Sequence, residues 1–169
     1  ILDLAAGHGL FGILLLQGNP ESTCVAVDFA NVLPFAVENA RAAGVAARYE
    51  ARAGSAFEVD LGSGYDTVLV PNLIHHFDRA GCLAVLRRVY DALAPGGRVF
   101  LVAPMPHDDR VSPSAPAWFA TMMLATTPSG DAYTSGECAA MLRETGFAEP
   151  DLHFAPGSSR SVMMARRPL

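Results

Sequence analysis

The first twelve residues constrain the fold of this chain more than any other segment. An apolar run from Ile1 to Ala5 stops at a turn of small residues, and a helical pattern starts directly after it at Leu10. Gly7 and Gly9 leave the backbone of this turn bare, so a ligand can lie against it and against the first helical N–H groups. A second apolar run then ends on Asp28. This order of elements predicts a nucleotide-binding α/β unit.

Apolar runs of strand length alternate with helical patterns along most of the sequence. The alternation predicts an α/β fold, a Rossmann-like, doubly wound and mostly parallel seven-stranded sheet. Two final strands flank the turn at residues 156–159 and predict a C-terminal antiparallel hairpin. The strands are predicted at residues 1–5, 24–28, 47–51, 65–70, 98–102, 151–154 and 161–165. The helices are predicted at 10–17, 32–43 with Asn31 as its cap, 79–93, 118–124, and from a cap at Thr134 or Ser135 to Glu144, with a loop at 104–116.

Composition and charge limit the classes to which this chain can belong. Of its 169 residues, 51% are apolar and 17% are charged, which predicts one globular domain. The net charge of -5 predicts no nucleic-acid partner, because such partners usually require a clustered basic face. No apolar stretch approaches the roughly 20 residues that span a bilayer, and no basic flank marks a signal peptide. We therefore expect no membrane association.

Three cysteines bear on the cellular compartment and on metal binding. Cys24, Cys82 and Cys138 are far apart and have no CxxC spacing, so we expect buried thiols rather than disulfides or a zinc site. Free thiols are typical of a reducing compartment, which predicts a cytoplasmic location. The segment His107–Asp109 can chelate a hard cation, but acids in a proline-rich loop are usually only solvated. We predict no metal site.

The opening turn resembles a specific cofactor-binding motif. Asp3 inside the first strand, followed by two small residues and Gly7-x-Gly9, resembles the first motif of the class I S-adenosyl-L-methionine-dependent methyltransferases. The resemblance continues in register over essentially the whole chain, at Val27–Phe29, Ala53–Phe57, Leu93–Arg98 and Thr145–Phe147. It implies that S-adenosyl-L-methionine is the cofactor. The residues that it assigns to cofactor binding are Asp3, Ala5, Gly7, Gly9, Asp28, Phe29, Ser55, Ala56 and Asn72.

One cofactor position departs from the family pattern. The acid that contacts the adenine in the family is here Ser55, which can accept a hydrogen bond but carries no charge. We expect a lower cofactor affinity, with Glu58 as a candidate to take over the role.

The segment Leu73–Asp78 carries two adjacent histidines just after the fourth strand. It is similar to the His-Asp-Trp/Phe region of small-molecule O-methyltransferases typified by the plant caffeate and animal acetylserotonin enzymes. The similarity implies that His75 is the catalytic base, because a phenol or alcohol holds its proton at neutral pH. For His76, which replaces the family's Asp, we expect a structural role as a helix cap or packed beside Phe77.

The surroundings of His75 depart from the same family. Two glutamates flank the family's base, and their positions here hold Ala103 and Ala132. Asp108, Asp109 and Asp131 are candidates to replace them. The sequence therefore leaves open whether His75 acts as a base.

The segment from Met105 to Thr127 is rich in methionine and aromatic residues and predicts cover for a flat, apolar acceptor such as a phenol, indole or polyketide ring. The expected function is methyl transfer to a hydroxyl oxygen of a small aromatic or polyketide-like molecule. The resemblance also implies that residues 1–169 are the catalytic domain of an N-terminally truncated protein, with an upstream helical domain that forms a homodimer.

Two alternatives remain open at this point. An NAD(P)-dependent Rossmann oxidoreductase shares the glycine turn, although Asp3, the Pro-Gly-Gly turn and the final hairpin disfavour it. A non-catalytic partner protein with the same fold is favoured by Ala103 and Ala132. The sequence does not identify the acceptor or separate O- from N- or C-methylation.

Overall fold

The computed structural model describes residues 1–154, 158 and 160–169. The strands in this part of the chain are β1 (Leu2–Leu4), β2 (Cys24–Asp28), β3 (Tyr49–Ala53), β4 (Tyr65–Pro71), β5 (Leu93–Ala103), β6 (Ala148–Phe154) and β7 (Ser161–Arg166). The α-helices are α1 (Leu10–Gly18), α2 (Leu33–Ala42), α3 (Arg79–Ala92), α4 (Ser114–Thr126) and α5 (Ser135–Glu144). Short 3₁₀ turns occupy Ala46–Arg48 and Ile74–His76.

The strands form one sheet in the order β3-β2-β1-β4-β5-β7-β6. Neighbours from β3 to β5 are parallel, whereas β7 runs antiparallel to both β5 and β6. The prediction of a mostly parallel, Rossmann-like seven-stranded sheet with an antiparallel C-terminal pair is therefore confirmed. The turn predicted at residues 156–159 lies largely outside the described residues, but Phe154 pairs with Ser161 as a hairpin requires.

The start of α2 differs from its prediction. Asn31 does not cap this helix, because the N-cap residue is Val32 and no side chain accepts a hydrogen bond there. The carbonyl oxygen of Phe29 accepts hydrogen bonds from the N–H groups of Val32 and Leu33, at 2.9 and 3.1 Å. Pro34 has no N–H to satisfy. The first turn of the helix therefore needs no side-chain cap.

The Pro-Gly-Gly segment lies inside β5 rather than in a separate turn before it. Leu93 pairs with Tyr65 and Arg98 with Thr67, and the register shifts between these pairs. Gly96 has a φ of 79°, and a Cβ on Gly97 would lie 2.9 Å from the carbonyl oxygen of Tyr65. These glycines allow a bulge that lengthens the strand by five residues at its start.

The predicted start is wrong for β3 and α4 and correct for α5. β3 begins two residues later than predicted, because a 3₁₀ turn takes up Ala46–Arg48. α4 begins at Ser114 rather than 118, because Pro116 falls in its first turn, where no N–H donor is needed. For α5 the predicted cap is confirmed: Thr134 accepts from the N–H of Glu137, whose side chain accepts from Thr134 in return.

The main core lies between the central strands and the helices α3 and α5. Its fully buried side chains include Leu2, Leu4, Val68, Val70, Val99, Leu101, Leu86, Met141 and Leu142. A smaller cluster, formed by Ile13, Leu16, Cys24, Ala40 and Val45, packs α1 and α2 against β2. None of the helices in the described part of the chain has the length and apolar character to cross a membrane.

Candidate functional site

The carboxyl ends of β1 to β4 surround a cavity of about 510 Å³. The segments that follow these strands approach each other because parallel strands end at the same edge of the sheet. The residues that line the cavity are Ala5, Val27, Asp28, Phe29, Gly54, Ser55, Ala56, Phe57, Leu73, His76 and Phe77. Of the predicted cofactor residues, Ala5, Asp28, Phe29, Ser55 and Ala56 are among them, and Asp3, Gly7, Gly9 and Asn72 are not.

The backbone of the glycine turn is left-handed at three positions. Ala5, Gly7 and Gly9 have φ values of 59°, 58° and 77°. A Cβ on Gly9 would collide with the hydroxyl of Tyr49 and lie 3.0 Å from the Cβ of Ala36, so only glycine fits here. Gly9 is also the N-cap of α1 and has no side chain of its own. Neighbouring side chains accept from the first turn instead: His8 Nδ1 accepts from the N–H of Leu10 at 3.2 Å, and Asp3 Oδ2 accepts from the N–H of Gly12.

Asp28 connects the end of β2 to this turn. Its Oδ2 accepts a hydrogen bond from the N–H of Gly7, and its Oδ1 accepts one from the N–H of Phe29, both at 2.7 Å. Each carboxylate oxygen keeps a further lone pair, so the half-buried group can still accept hydrogen bonds from two hydroxyls.

Asp3 lies beneath the turn rather than in the cavity. It is 0% exposed, and its Oδ2 accepts a hydrogen bond from the N–H of Gly12 at 3.0 Å. Its Oδ1 has no partner among the described residues. Burial raises the pKa of this carboxyl to about 6, although the Gly12 hydrogen bond lowers it, and the charge of Asp28 raises it further. Asp3 thus positions the start of α1 from below.

The segment after β3 forms one wall of the cavity. Ser55 is half-buried, and its Oγ accepts a hydrogen bond from the N–H of Phe57 at 3.2 Å. Glu58, the candidate replacement for the missing acid, is exposed and is not one of the lining residues. The rings of Phe57 and Phe77 meet edge to face at 4.8 Å, which joins this wall to the segment after β4.

The sequence assigned Asn72, at the start of the segment after β4, to the cofactor, but it did not predict which residues of that segment line the cavity. Leu73, His76 and Phe77 line it, although His76 was expected to be a helix cap or a packing residue. The cap of α3 is Asp78, which accepts a hydrogen bond from the N–H of Gly81 at 2.8 Å. The sequence does contain a signal for this part of the cavity, because the aromatic side chains His75–Phe77 follow directly after a buried strand.

His75 is buried and uncharged. Its side chain is on the 3₁₀ turn after β4, and its ring lies 4.5 Å from that of His76 and 4.7 Å, edge on, from that of Phe119. Burial lowers the pKa of His75 to about 4, and the charges of His76 and Arg160 lower it further. Its Nδ1 is buried and has no partner among the described residues. At neutral pH one ring nitrogen therefore offers a lone pair to a proton.

No carboxylate of the described chain is hydrogen-bonded to the His75 ring. Asp131 donates its backbone N–H to the His75 carbonyl at 3.1 Å, but its carboxylate is paired with Arg110 at 3.0 Å. Asp109 accepts from the Ser112 hydroxyl and from backbone N–H groups, which lowers the pKa of its carboxyl to about 2. Asp108 accepts from the N–H of Gly136. The three acids considered as replacements thus have other partners.

Two further groups lie near the end of β4. Asn72 has a φ of 52°, and its N–H donates to the carbonyl of Val102 at 2.7 Å. The Nε of Arg160 donates to the Asn72 Oδ1 at 2.9 Å, a contact that the sequence did not predict. Among the residues described, no group of three metal-ligating side chains comes together.

The predicted acceptor segment is only partly directed at this site. Phe119 contacts His75, and Met105 and Met123 are buried. Trp118 and Met122 are instead exposed to solvent on the surface of α4. A second cavity, of about 310 Å³, lies beside this segment and is lined by Met105, Pro113, Ser114, Ala115, Pro116, Phe154, Ser158 and Ser161.

Comparison with known proteins relates this geometry to one family. The family model described as O-methyltransferase domain matches residues 1–148. The chain is 32% identical over 149 residues to 3-hydroxy-5-methyl-1-naphthoate 3-O-methyltransferase of Streptomyces sahachiroi, covering 88% of the chain and 43% of that relative. It is 27% identical over 148 residues to the tetracenomycin polyketide synthesis 8-O-methyl transferase of Streptomyces glaucescens, again covering 88% of the chain and 43% of the relative.

A solved structure agrees with this assignment. The structure of an inferred O-methyltransferase from Nostoc punctiforme superposes with a TM-score of 0.96 at 49% identity. The match covers 98% of this chain and 51% of that chain. The chain thus spans about half the length of the relatives that it matches. Matched by the family model over most of its length, the chain belongs to the O-methyltransferase domain family.

Proposed function

We propose that this chain binds S-adenosyl-L-methionine in the 510 Å³ cavity and directs its methyl group to a hydroxyl oxygen of a small aromatic molecule. One observation carries the proposal: Asp28, the glycine turn and the largely apolar cavity lie together at the carboxyl ends of four parallel strands. The bound cofactor would supply an electrophilic methyl group on a sulfonium.

The residues of the cavity fit this cofactor. A ribose offers two neighbouring hydroxyls, and Asp28 has a free lone pair on each carboxylate oxygen to accept them. An adenine ring is flat and largely apolar, and Phe29, Ala56, Leu73 and Phe77 provide apolar walls. The cavity volume lies within the range of about 300 to 1,000 Å³ that is typical of small-molecule sites.

His75 would take the proton of the acceptor hydroxyl. Because its pKa is lowered to about 4, the imidazole is neutral at pH 7 and has a free lone pair, but it is a weaker base than an ordinary histidine. Phe119, edge on against the His75 ring, provides an aromatic surface for an acceptor ring. The names of the two Streptomyces relatives, a naphthoate and a polyketide methyltransferase, support an aromatic acceptor.

A non-catalytic partner of the same fold is the second candidate. It is favoured by the Nδ1 of His75, which has no partner among the described residues, and by the buried side chains of Ala103 and Ala132. No described side chain at these positions orients or stabilises a charged imidazole. The two candidates differ in turnover. The protein carrying this chain, incubated with S-adenosyl-L-methionine and a panel of phenols and hydroxynaphthalenes, should yield methyl ethers by mass spectrometry. The absence of any methylated product, while the cofactor still binds, would favour the silent partner.

We also propose that an upstream helical domain and a second copy of the protein cover α4 in a homodimer. The supporting observation is that Trp118 and Leu124 on this helix are 75% and 80% exposed. Light scattering on the protein carrying this chain should show a dimer, and Leu124→Ser should weaken it.

The three free, buried cysteines support a cytoplasmic location.

A further inference from the structure

The 3₁₀ turn that carries His75 is held in place by the connection between α4 and α5. The N–H of Asp131 donates to the His75 carbonyl at 3.1 Å, and the Tyr133 hydroxyl donates to the carbonyl of Phe77 at 2.8 Å. A Cβ on Gly130 would collide with the His75 carbonyl oxygen, so the two backbones are in direct contact here. The position of His75 therefore depends on the position of this connection.

Both ends of the connection are anchored to the helices that it joins. At the α4 end, the Oγ1 of Thr127 accepts from the N–H of Gly130 at 2.7 Å and donates to the Met123 carbonyl at 2.8 Å. At the α5 end, Thr134 and Glu137 form the capping box. Between these anchors, the contact that reaches the His75 carbonyl is made by Asp131.

The side chain of Asp131 is held by Arg110, from the loop between β5 and α4. The Nη1 of Arg110 pairs with the Oδ2 of Asp131 at 3.0 Å, and its Nη2 donates to both carboxylate oxygens of Glu137, at 2.6 and 2.8 Å. A single exposed ion pair contributes little, whereas a guanidinium shared by two carboxylates forms a network of defined geometry. Arg110 also has a φ of 57°, a strained backbone conformation of a kind that clusters at functional sites.

We propose that Arg110 is a positioning residue of this site: through Asp131 it fixes the backbone of His75, and with it the imidazole that takes the proton of the acceptor. The inference rests on the proposed function and adds a residue that acts on its base without contacting the cofactor or the acceptor. Each step from the guanidinium to the His75 carbonyl is a direct contact, at 3.0 Å and then at 3.1 Å. A small displacement of a catalytic group is enough to slow a reaction.

The first measurement tests this link without any turnover. In the protein carrying this chain, hydrogen exchange of the peptide around Asp131 should be at least about threefold faster in Arg110→Gln, the scale of an exposed ion-pair network. The NMR signal of the His75 Cε1–H, identified by its loss in His75→Gln, should shift in the same variant. Arg79→Gln is the matched control, because it breaks an exposed ion pair with Glu144 at 2.6 Å and should change neither signal.

The second measurement separates positioning from binding. In Arg110→Gln, kcat should fall about tenfold, less than the hundredfold expected for loss of the imidazole itself. The KM of the acceptor and the affinity for S-adenosylhomocysteine should stay unchanged, because neither Arg110 nor Asp131 lines the 510 Å³ cavity. Arg110→Lys keeps one charged contact and should recover part of kcat. Asp131→Asn should lower kcat similarly, and the double variant should be no slower than either single variant, since both remove the same link.

Three results would overturn the proposal. Opposite effects of Arg110→Gln and Asp131→Asn on kcat would show that Arg110 acts on the imidazole by its charge. Wild-type exchange and a wild-type His75 signal in Arg110→Gln would show that the link does not hold the turn. An equal loss of kcat and of S-adenosylhomocysteine affinity would show a general structural role. If the wild-type protein methylates no acceptor while the first measurement gives the expected changes, the proposed function fails and the link between Arg110 and His75 stands.

Discussion

The carboxylate of Asp28 accepts a hydrogen bond from the backbone N–H of Gly7 at 2.7 Å, across 21 residues of sequence. This bond fixes the glycine turn against the end of β2 before any ligand arrives. A preorganised turn loses little conformational freedom on binding, which favours affinity. Asp28 therefore has two functions in this account: it shapes the turn, and it offers its remaining lone pairs to the ribose.

Ser55→Asp should increase the affinity for S-adenosylhomocysteine. A carboxylate on the cavity wall accepts a stronger hydrogen bond from the exocyclic amine of adenine than a hydroxyl does, so we expect a gain of about tenfold. Calorimetric titration of the chain measures the affinity for S-adenosylhomocysteine. Ser63→Asp adds the same charge at an exposed position outside the cavity and should change nothing. An affinity that does not rise in Ser55→Asp would show that the adenine is bound differently.

Gly9→Ala should destabilise the fold more than Gly7→Ala. Both residues have a positive φ, which costs an alanine about 1–2 kcal/mol. A Cβ on Gly7 meets no atom within 4 Å, whereas on Gly9 it collides with the Tyr49 hydroxyl. Urea unfolding should therefore show a larger loss for Gly9→Ala, on the order of 3 kcal/mol, and Tyr49→Phe should recover part of it. Equal losses for the two alanine variants would refute the close packing of Tyr49.

His75→Gln and His75→Ala should lower turnover about a hundredfold, the scale of general-base catalysis, and leave the affinity for S-adenosylhomocysteine unchanged. Because the pKa of His75 is lowered to about 4, the group is already neutral above that pH. Wild-type kcat/KM should consequently show no acidic limb from His75 between about pH 5 and 8. Single-turnover assays on the protein carrying this chain measure both quantities. Full activity of both variants would exclude His75 as the base.

Asp3→Asn should remove a pH dependence of stability. The pKa of the buried carboxyl is raised to about 6, from 3.8 in the unfolded chain, so the native state binds more protons between these values. The free energy of unfolding therefore falls as the pH rises through this window, by on the order of 2–3 kcal/mol. Asparagine keeps an acceptor for the N–H of Gly12 without the charge. In urea titrations at pH 4 and 7, the free energy of unfolding of Asp3→Asn should change less with pH than that of the wild type. An equal change in the two proteins would contradict the raised pKa of Asp3. Asp66→Asn, at an exposed position, is the control.

The sequence was most informative where a function depends on neighbours in the chain. The glycine turn, Asp28 and the capping box at Thr134 each rest on spacings of a few residues, and the structure has the turn geometry and the cap that these spacings predict. The mostly parallel sheet could be predicted because alternating strands and helices permit few topologies, whereas its strand order was not predicted. These are properties of local geometry, which one sequence can reveal.

Long-range contacts were the part that the sequence did not reveal. Arg160 and Asn72 are 88 residues apart, and their hydrogen bond depends on how β7 returns beside β5. His76 was interpreted as a structural residue, because its position on the cavity wall depends on the course of the chain after β4. The extension of β5 through Pro-Gly-Gly likewise depends on its pairing with β4.

The most direct test of this account is a calorimetric titration of the chain with S-adenosylhomocysteine and, separately, with NAD⁺. We predict one binding site for S-adenosylhomocysteine, a loss of affinity of at least about tenfold in Asp28→Ala, and no binding of NAD⁺. Glu38→Ala, on the exposed surface of α2, should bind like the wild type. Binding of NAD⁺ in preference to S-adenosylhomocysteine, or an affinity for S-adenosylhomocysteine that Asp28→Ala leaves unchanged, would contradict the assignment of this cavity.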